Sequence, residues 1–145
     1  MVDRILFYSS TKKYSEFSNF FRSAIRLDGY FWLTVEHYYQ AQKTTDLKDQ
    51  ERIRSAKTPG EAKRLGRKVH IREDWENIKV DVMRRAIRAK FTQHKDLQDL
   101  LLSTNDATLH ENSPHDMFWG VHGKDMLGKI LMEIRGEIED ASRIG

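Results

Sequence analysis

Apolar positions alternate in short runs near the N-terminus and recur every three or four residues after about residue 34, so short strands should precede helices. Arg4 to Ser9, carrying Ile5, Leu6, Phe7 and Tyr8, reads as a strand. Ser15 to Phe21 is an aromatic loop. Ala24 to Leu27 and Tyr30 to Trp32 flank Asp28-Gly29, whose tolerance of positive φ marks a tight hairpin. Thr34 is placed to cap a helix from Val35 to about Lys43, and Leu47 to Ala56 reads as a second. A third starts at Thr58-Pro59, with Thr as cap, Pro at the first helical position and Glu61 in the first turn. Asp74 to Gln93 is the longest, with Ile78, Val82, Met83, Ala86, Ile87 and Phe91 as its buried stripe and Arg84, Arg85 and Arg88 largely off it. Leu97, Leu100 and Leu101 give a shorter helix its inner face, and Ala107 to Glu111 reads as a strand. Asn112 to Gly123 is a polar and aromatic loop, and Met126, Leu127, Ile130, Leu131, Ile134 and Ile138 mark a last helix that frays from Ala141.

These elements predict a mainly helical α+β domain with a small sheet of short N-terminal strands. Without a βαβ alternation a doubly wound sheet is not expected. A chain of 145 residues suits one domain, residues 1–145, with its own core. No apolar run approaches the ~20 residues of a membrane span, and Met1-Val2-Asp3-Arg4-Ile5 does not open a signal peptide. The absence of cysteine excludes disulfides, zinc–thiolate sites and cysteine nucleophiles, and fits the cytoplasm. The formal charge of +3 is a mild excess, but Lys and Arg concentrate between Lys57 and Lys95. Such a basic middle either attracts phosphates or forms solvated helix faces.

The densest chemistry is Glu36-His37-Tyr38-Tyr39-Gln40-Ala41-Gln42-Lys43. Glu36, Gln40 and Lys43 are spaced i, i+4, i+7 and so share one side of a helix among aromatics. That row suits a polar, ring-containing ligand. A carboxylate early in a helix should stay ionised, whether it merely complements the helix dipole or orients a hydroxyl, stabilises a developing cation or activates water. Trp75 and Trp119 stand beside polar segments, as core anchors or as faces for a base. His110 to Lys124 gathers three histidines and two acids, Glu111 and Asp116, yet their spacing matches no common zinc pattern, and no metal is expected. Gly120 and Gly123 would let backbone N–H groups approach a ligand there. Arg64, Gly66, Arg67 and Lys68 either hold a phosphate or end a solvated helix. No nucleophile elbow is present.

In order along the chain, these blocks resemble the NADAR family, the YbiA-like N-glycosidases. The likeness runs from about Phe7 to Arg135 and is carried by Phe7-Tyr8-Ser9, Phe17-Ser18-Asn19-Phe20, the segment Glu36 to Lys43, Gly66-Arg67, Trp75, Lys90-Phe91, Asp116 with Trp119-Gly120, Gly123-Lys124 and Leu127-Gly128. The resemblance implies hydrolysis of an N-glycosidic bond to ribose without a cofactor. The substrate would be ADP-ribose on a base, notably guanine in nucleic acid, or a phosphoribosylamino-pyrimidine intermediate of riboflavin synthesis. It places the key glutamate on Glu36 and further functional positions on Asp116, Trp75 and Trp119, with Asn19 and Lys43 as pocket residues. Segments shorter than the family's precede Trp75 and Leu127, where loops would border the substrate.

Cleaving a ribosyl C–N bond builds positive charge on the sugar. Glu36 is expected to stabilise that charge or place water, and Asp116 to share the task or hold a hydroxyl. Lys43 and Arg67 would neutralise phosphate, while Trp75 or Trp119 stacks on the base. A nucleotide substrate and a monomer are expected. The competing classes are a module that binds ADP-ribose or NAD without cleaving it, and a nucleic-acid-binding protein working through its basic helix faces.

Overall fold

The computed structural model describes residues 3–144. They gather into two compact units, one of residues 3–18 with 91–144 and the other Asn19–Lys90. In chain order the elements are β1 (Arg4–Phe7), a 3-10 turn (Ser15–Phe17), β2 (Ile25–Leu27), β3 (Tyr30–Trp32), α1 (Val35–Ala41), α2 (Leu47–Arg54), α3 (Pro59–Gly66), α4 (Trp75–Gln93), α5 (Lys95–Ser103), β4 (Thr108–Glu111) and α6 (Met126–Ile144). Six helices with a few short strands give the expected mainly helical α+β class.

The strands form two separate pairs. β2 and β3 make the antiparallel hairpin, turning on Asp28 at φ 55° and Gly29 at φ 84°. β1 pairs in parallel with β4, Ile5 opposite Leu109 and Phe7 opposite Glu111. The sheet is therefore not made of N-terminal strands alone. A four-residue strand shows which of its faces is buried but not a partner about a hundred residues away.

The Asn19–Lys90 unit is built round α1, all seven of whose residues are buried. Thr34 caps it as expected, its Oγ1 accepting from the N–H of His37. The helix stops at Ala41, short of Lys43, because its end tightens: Lys43 N–H donates to the Gln40 carbonyl and Thr44 N–H to that of Ala41. Thr58 caps α3 with Pro59 in its first turn, and α2 ends at Arg54. Of the stripe expected on α4, Met83, Ala86 and Ile87 are buried, while Ile78 and Val82 are half-buried.

In the other unit Phe17 packs against Phe7 and Phe91, with ring centroids 5.8 and 6.0 Å apart. The apolar face of α6, from Leu127 through Ile130, Leu131 and Ile134 to Ile138, is buried. Buried Arg135 makes this tolerable by donating to Thr104 Oγ1 and the Ala107 carbonyl, each at 2.8 Å. The helix runs on to Ile144, past Ala141 where fraying was expected. No helix among the described residues is long and apolar enough to cross a membrane.

Candidate active site

Glu36 sits in the first turn of α1 and is only 6 % exposed. Its backbone N–H donates to the Asn19 carbonyl at 3.1 Å, and its Oε2 accepts from Gln40 Nε2 at 2.6 Å. The i, i+4 spacing thus makes Gln40 a clamp on the carboxylate more than a ligand contact. Gln40 is 3 % exposed, and its Oε1 is buried without a hydrogen-bond partner. Gly66, the last residue of α3, closes on that amide: a Cβ there would fall 2.0 Å from Oε1. Any larger residue would push the amide out of place.

Round this clamp the structure collects several of the expected residues. Buried Asn19 gives its carbonyl to Glu36 and its Nδ2 to Met83 Sδ at 3.4 Å. Arg67 follows Gly66 as the C-cap of α3, with an exposed side chain. The ammonium of Lys43 lies 5.7 Å above the ring of Tyr39. That ring packs on Trp75 at 5.1 Å between centroids, and the Lys43 carbonyl accepts from Arg72 N–H at 2.8 Å. Trp75, 6 % exposed, is therefore a core anchor as well as a neighbour of the site. Sequence reasoning gave Tyr39 no role, set Gln40 in the row facing a ligand and read Gly66 as part of either a phosphate-holding segment or a solvated helix end. All three lie in the blocks that carried the resemblance, and the spacing of Gln40 from Glu36 pointed to the clamp.

Behind Glu36, fully buried His37 is satisfied at both ring nitrogens. Nε2 faces the Ala56 carbonyl at 2.9 Å and Nδ1 faces Thr34 Oγ1 at 2.8 Å. The carbonyl can only accept, so Nε2 carries the proton. Burial holds the imidazole pKa below its ordinary value, although the bond to Ala56 opposes this.

Asp116 and Trp119 belong to the other unit. Asp116 Oδ1 accepts from the N–H groups of Phe118 at 3.0 Å and Trp119 at 2.9 Å, so the carboxylate ties its own loop together. Trp119 is buried and meets Phe118 edge-on at 4.8 Å. The two glycines serve the same loop through their own N–H groups. Gly120 N–H donates to the Asp116 carbonyl and Gly123 N–H to that of Gly120. A Cβ on Gly123 would fall 1.8 Å from the Met117 carbonyl oxygen, and one on Gly120 2.6 Å from that of Asp116. His110, on β4, has its Nδ1 paired with Asp125 at 2.5 Å. Among the described residues no group of three or more His, Cys, Asp or Glu is placed to hold a metal ion.

A model of the NADAR domain matches residues 6–139 of the chain. N-glycosidase YbiA of Escherichia coli strain K12 is 46 % identical, over 95 % of this chain and 91 % of its own length. The NMR structure of E. coli YbiA has a TM-score of 0.89 at 45 % identity, covering 98 % of this chain and 89 % of that one. A Zea mays protein named riboflavin biosynthesis protein PYRR, chloroplastic, is 41 % identical over 92 % of this chain, which spans 25 % of that longer protein. The chain belongs to the NADAR domain family and is an enzyme that hydrolyses N-glycosyl bonds.

Proposed function

We propose that the chain removes ADP-ribose from guanine bases by hydrolysing the N-ribosidic bond. The observation that carries the reading is the Glu36 carboxylate, buried and gripped at 2.6 Å by Gln40, on the helix whose Tyr39 ring has the Lys43 ammonium 5.7 Å from its centroid. In the reaction the bond from ribose C1′ to the base nitrogen breaks and its electron pair stays with the nitrogen. The hydroxyl of water joins C1′, and the water's other proton ends on the base. Glu36 stabilises the cationic sugar or places the water, and Gln40 fixes the direction from which it does so. Lys43 and Arg67 offer positive charge to phosphate. By the family resemblance, Asp116 shares the task of Glu36 or holds a hydroxyl, and Trp75 or Trp119 stacks on the base. The enzyme works as a cytoplasmic monomer.

Guanine is favoured because the exposed Arg67 and Lys68 at the end of α3 suit a diphosphate. A second reading, cleavage of a phosphoribosylamino-pyrimidine intermediate of riboflavin synthesis, is favoured by the likeness to the Zea mays protein. Measuring kcat/KM on an ADP-ribosylated guanine oligonucleotide and on the riboflavin-pathway ribosylamine separates the two. The proposal expects the first to exceed the second. The reverse order moves the enzyme to metabolite clearance, and two intact substrates leave a binding module.

A further inference from the structure

On the side of α1 away from the Glu36–Gln40 clamp, a cavity of about 200 Å3, open to solvent, lies between the β2–β3 hairpin and α2. That is below the span of drug-sized sites and suits a guest no larger than a single small ring system. One wall is the ring of Tyr30, 54 % exposed, which meets the buried Trp32 ring edge-on at 6.2 Å. The opposite rim is Leu47, which begins α2 and is 77 % exposed. Two glutamine amides face the space. Gln50 Nε2 donates one hydrogen to the Thr44 carbonyl at 2.7 Å, which leaves its other hydrogen and its carbonyl oxygen for a guest. Half-buried Gln42 bonds no protein group through its side chain among the described residues, so it can both donate and accept.

The charges on the walls are already matched. Asp28 accepts from Tyr38 Oη at 2.7 Å and is paired with Arg85. Glu51 is gripped by Arg54, which holds its carboxyl below the ordinary carboxylate range. Arg54 also lies 5.1 Å from the Tyr30 ring centroid, steadying that ring. A charged guest would have to compete with these pairs, whereas a neutral one would not. The exposed Tyr30 ring asks for a flat guest, and the amides ask for one whose edge both donates and accepts. A purely apolar partner would leave the Gln42 amide and the Gln50 carbonyl oxygen without hydrogen bonds.

We infer that this cavity is a second binding site for an uncharged planar nitrogen heterocycle of the nucleobase type, stacked on Tyr30 beside Trp32 and held at its edge by Gln42 and Gln50. Nothing in the inference depends on what Glu36 does. The base could arrive as a free nucleoside or as one residue of a single strand, since both present the same face and edge.

Nuclear magnetic resonance tests it on the whole chain. The protein has three tryptophans, hence three indole N–H signals, and only Trp32 lines this cavity. Titration with guanosine, adenosine, cytidine and uridine, and with a single-stranded oligonucleotide, should move the Trp32 signal saturably. Tyr30→Ser and Gln42→Leu should each weaken that effect about tenfold or more. Phe31→Ser, on the other face of the same hairpin, should leave it unchanged and shows that the hairpin tolerates loss of a ring. Saturation at about tenfold lower concentration by the oligonucleotide assigns the site to a strand, and equal potency assigns it to free nucleosides. A Trp32 signal that stays still throughout, or that moves equally in Tyr30→Ser, overturns the inference. Because binding is read without turnover, an inactive enzyme that still shows the Trp32 shift would sink the proposed reaction and leave this site standing.

Discussion

At the scale of single residues the account turns on one carboxylate and the amide that aims it. A hydrogen bond to a charged group contributes about 1.5–3 kcal/mol. Gln40→Met keeps the volume and removes the donor, so kcat should fall roughly 10- to 100-fold with KM nearly unchanged. Gly66→Ala approaches the same contact from α3. Alanine favours a helix by about 0.5–1 kcal/mol over glycine, yet here its Cβ would fall 2.0 Å from Gln40 Oε1. Loss of both kcat and melting temperature is therefore expected, against the helix propensity. Steady-state kinetics decide: a Gln40→Met enzyme as fast as wild type removes the clamp from the mechanism. That Glu36 and Gln40 share one side of α1 was legible because their spacing is visible in one dimension. The need for glycine at position 66 was not, because it depends on how closely α3 approaches α1.

At the scale of elements, caps and turns were the most legible features. Thr34, Thr58 with Pro59, and Asp28-Gly29 act where local chemistry placed them. Thr34→Ala should cost about 1–2 kcal/mol in chemical denaturation, since it takes away the cap of α1 and a partner of His37 together. His37 also makes the stability depend on pH. Its pKa is lower in the fold than its ordinary 6.5, so the unfolded chain binds the extra proton first. The contribution is therefore complete above about pH 6.5 and is lost as the pH falls towards the folded value. Melting temperatures measured from pH 7.5 to 5.5 should fall, and His37→Gln should flatten the slope. An equal slope in the variant would assign the dependence to other groups. The β1–β4 pairing shows where local reading stopped: both strands were expected, but two runs of four residues do not announce each other across the chain.

For the molecule as a whole, charge and chain path matter most. Arg52, Arg54, Arg64, Arg72, Arg84 and Arg85 each lie within 4 Å of an Asp or Glu, so much of the basic middle is compensated where it stands. This favours the solvated helix faces weighed from the sequence and sets the net +3 apart from a phosphate-binding stripe. Unmodified duplex DNA should accordingly bind weakly at physiological salt. Tight binding with a steep salt dependence would restore the nucleic-acid-binding alternative. The chain leaves one compact unit after Ser18 and returns to it at Phe91, a division that hydrophobic periodicity does not show. The sequence reading of one domain predicts a single thermal transition, coincident by tryptophan fluorescence and circular dichroism, whereas two transitions would mean that the units melt independently. The central claim, that this enzyme breaks an N-ribosidic bond with the charge of Glu36, is tested most directly by mass spectrometry of products from wild type and Glu36→Gln on an ADP-ribosylated guanine oligonucleotide. The account predicts free ADP-ribose and repaired guanine from wild type, and a rate lower by about 100-fold or more from a variant that is folded and still binds. Equal product from both proteins would contradict it.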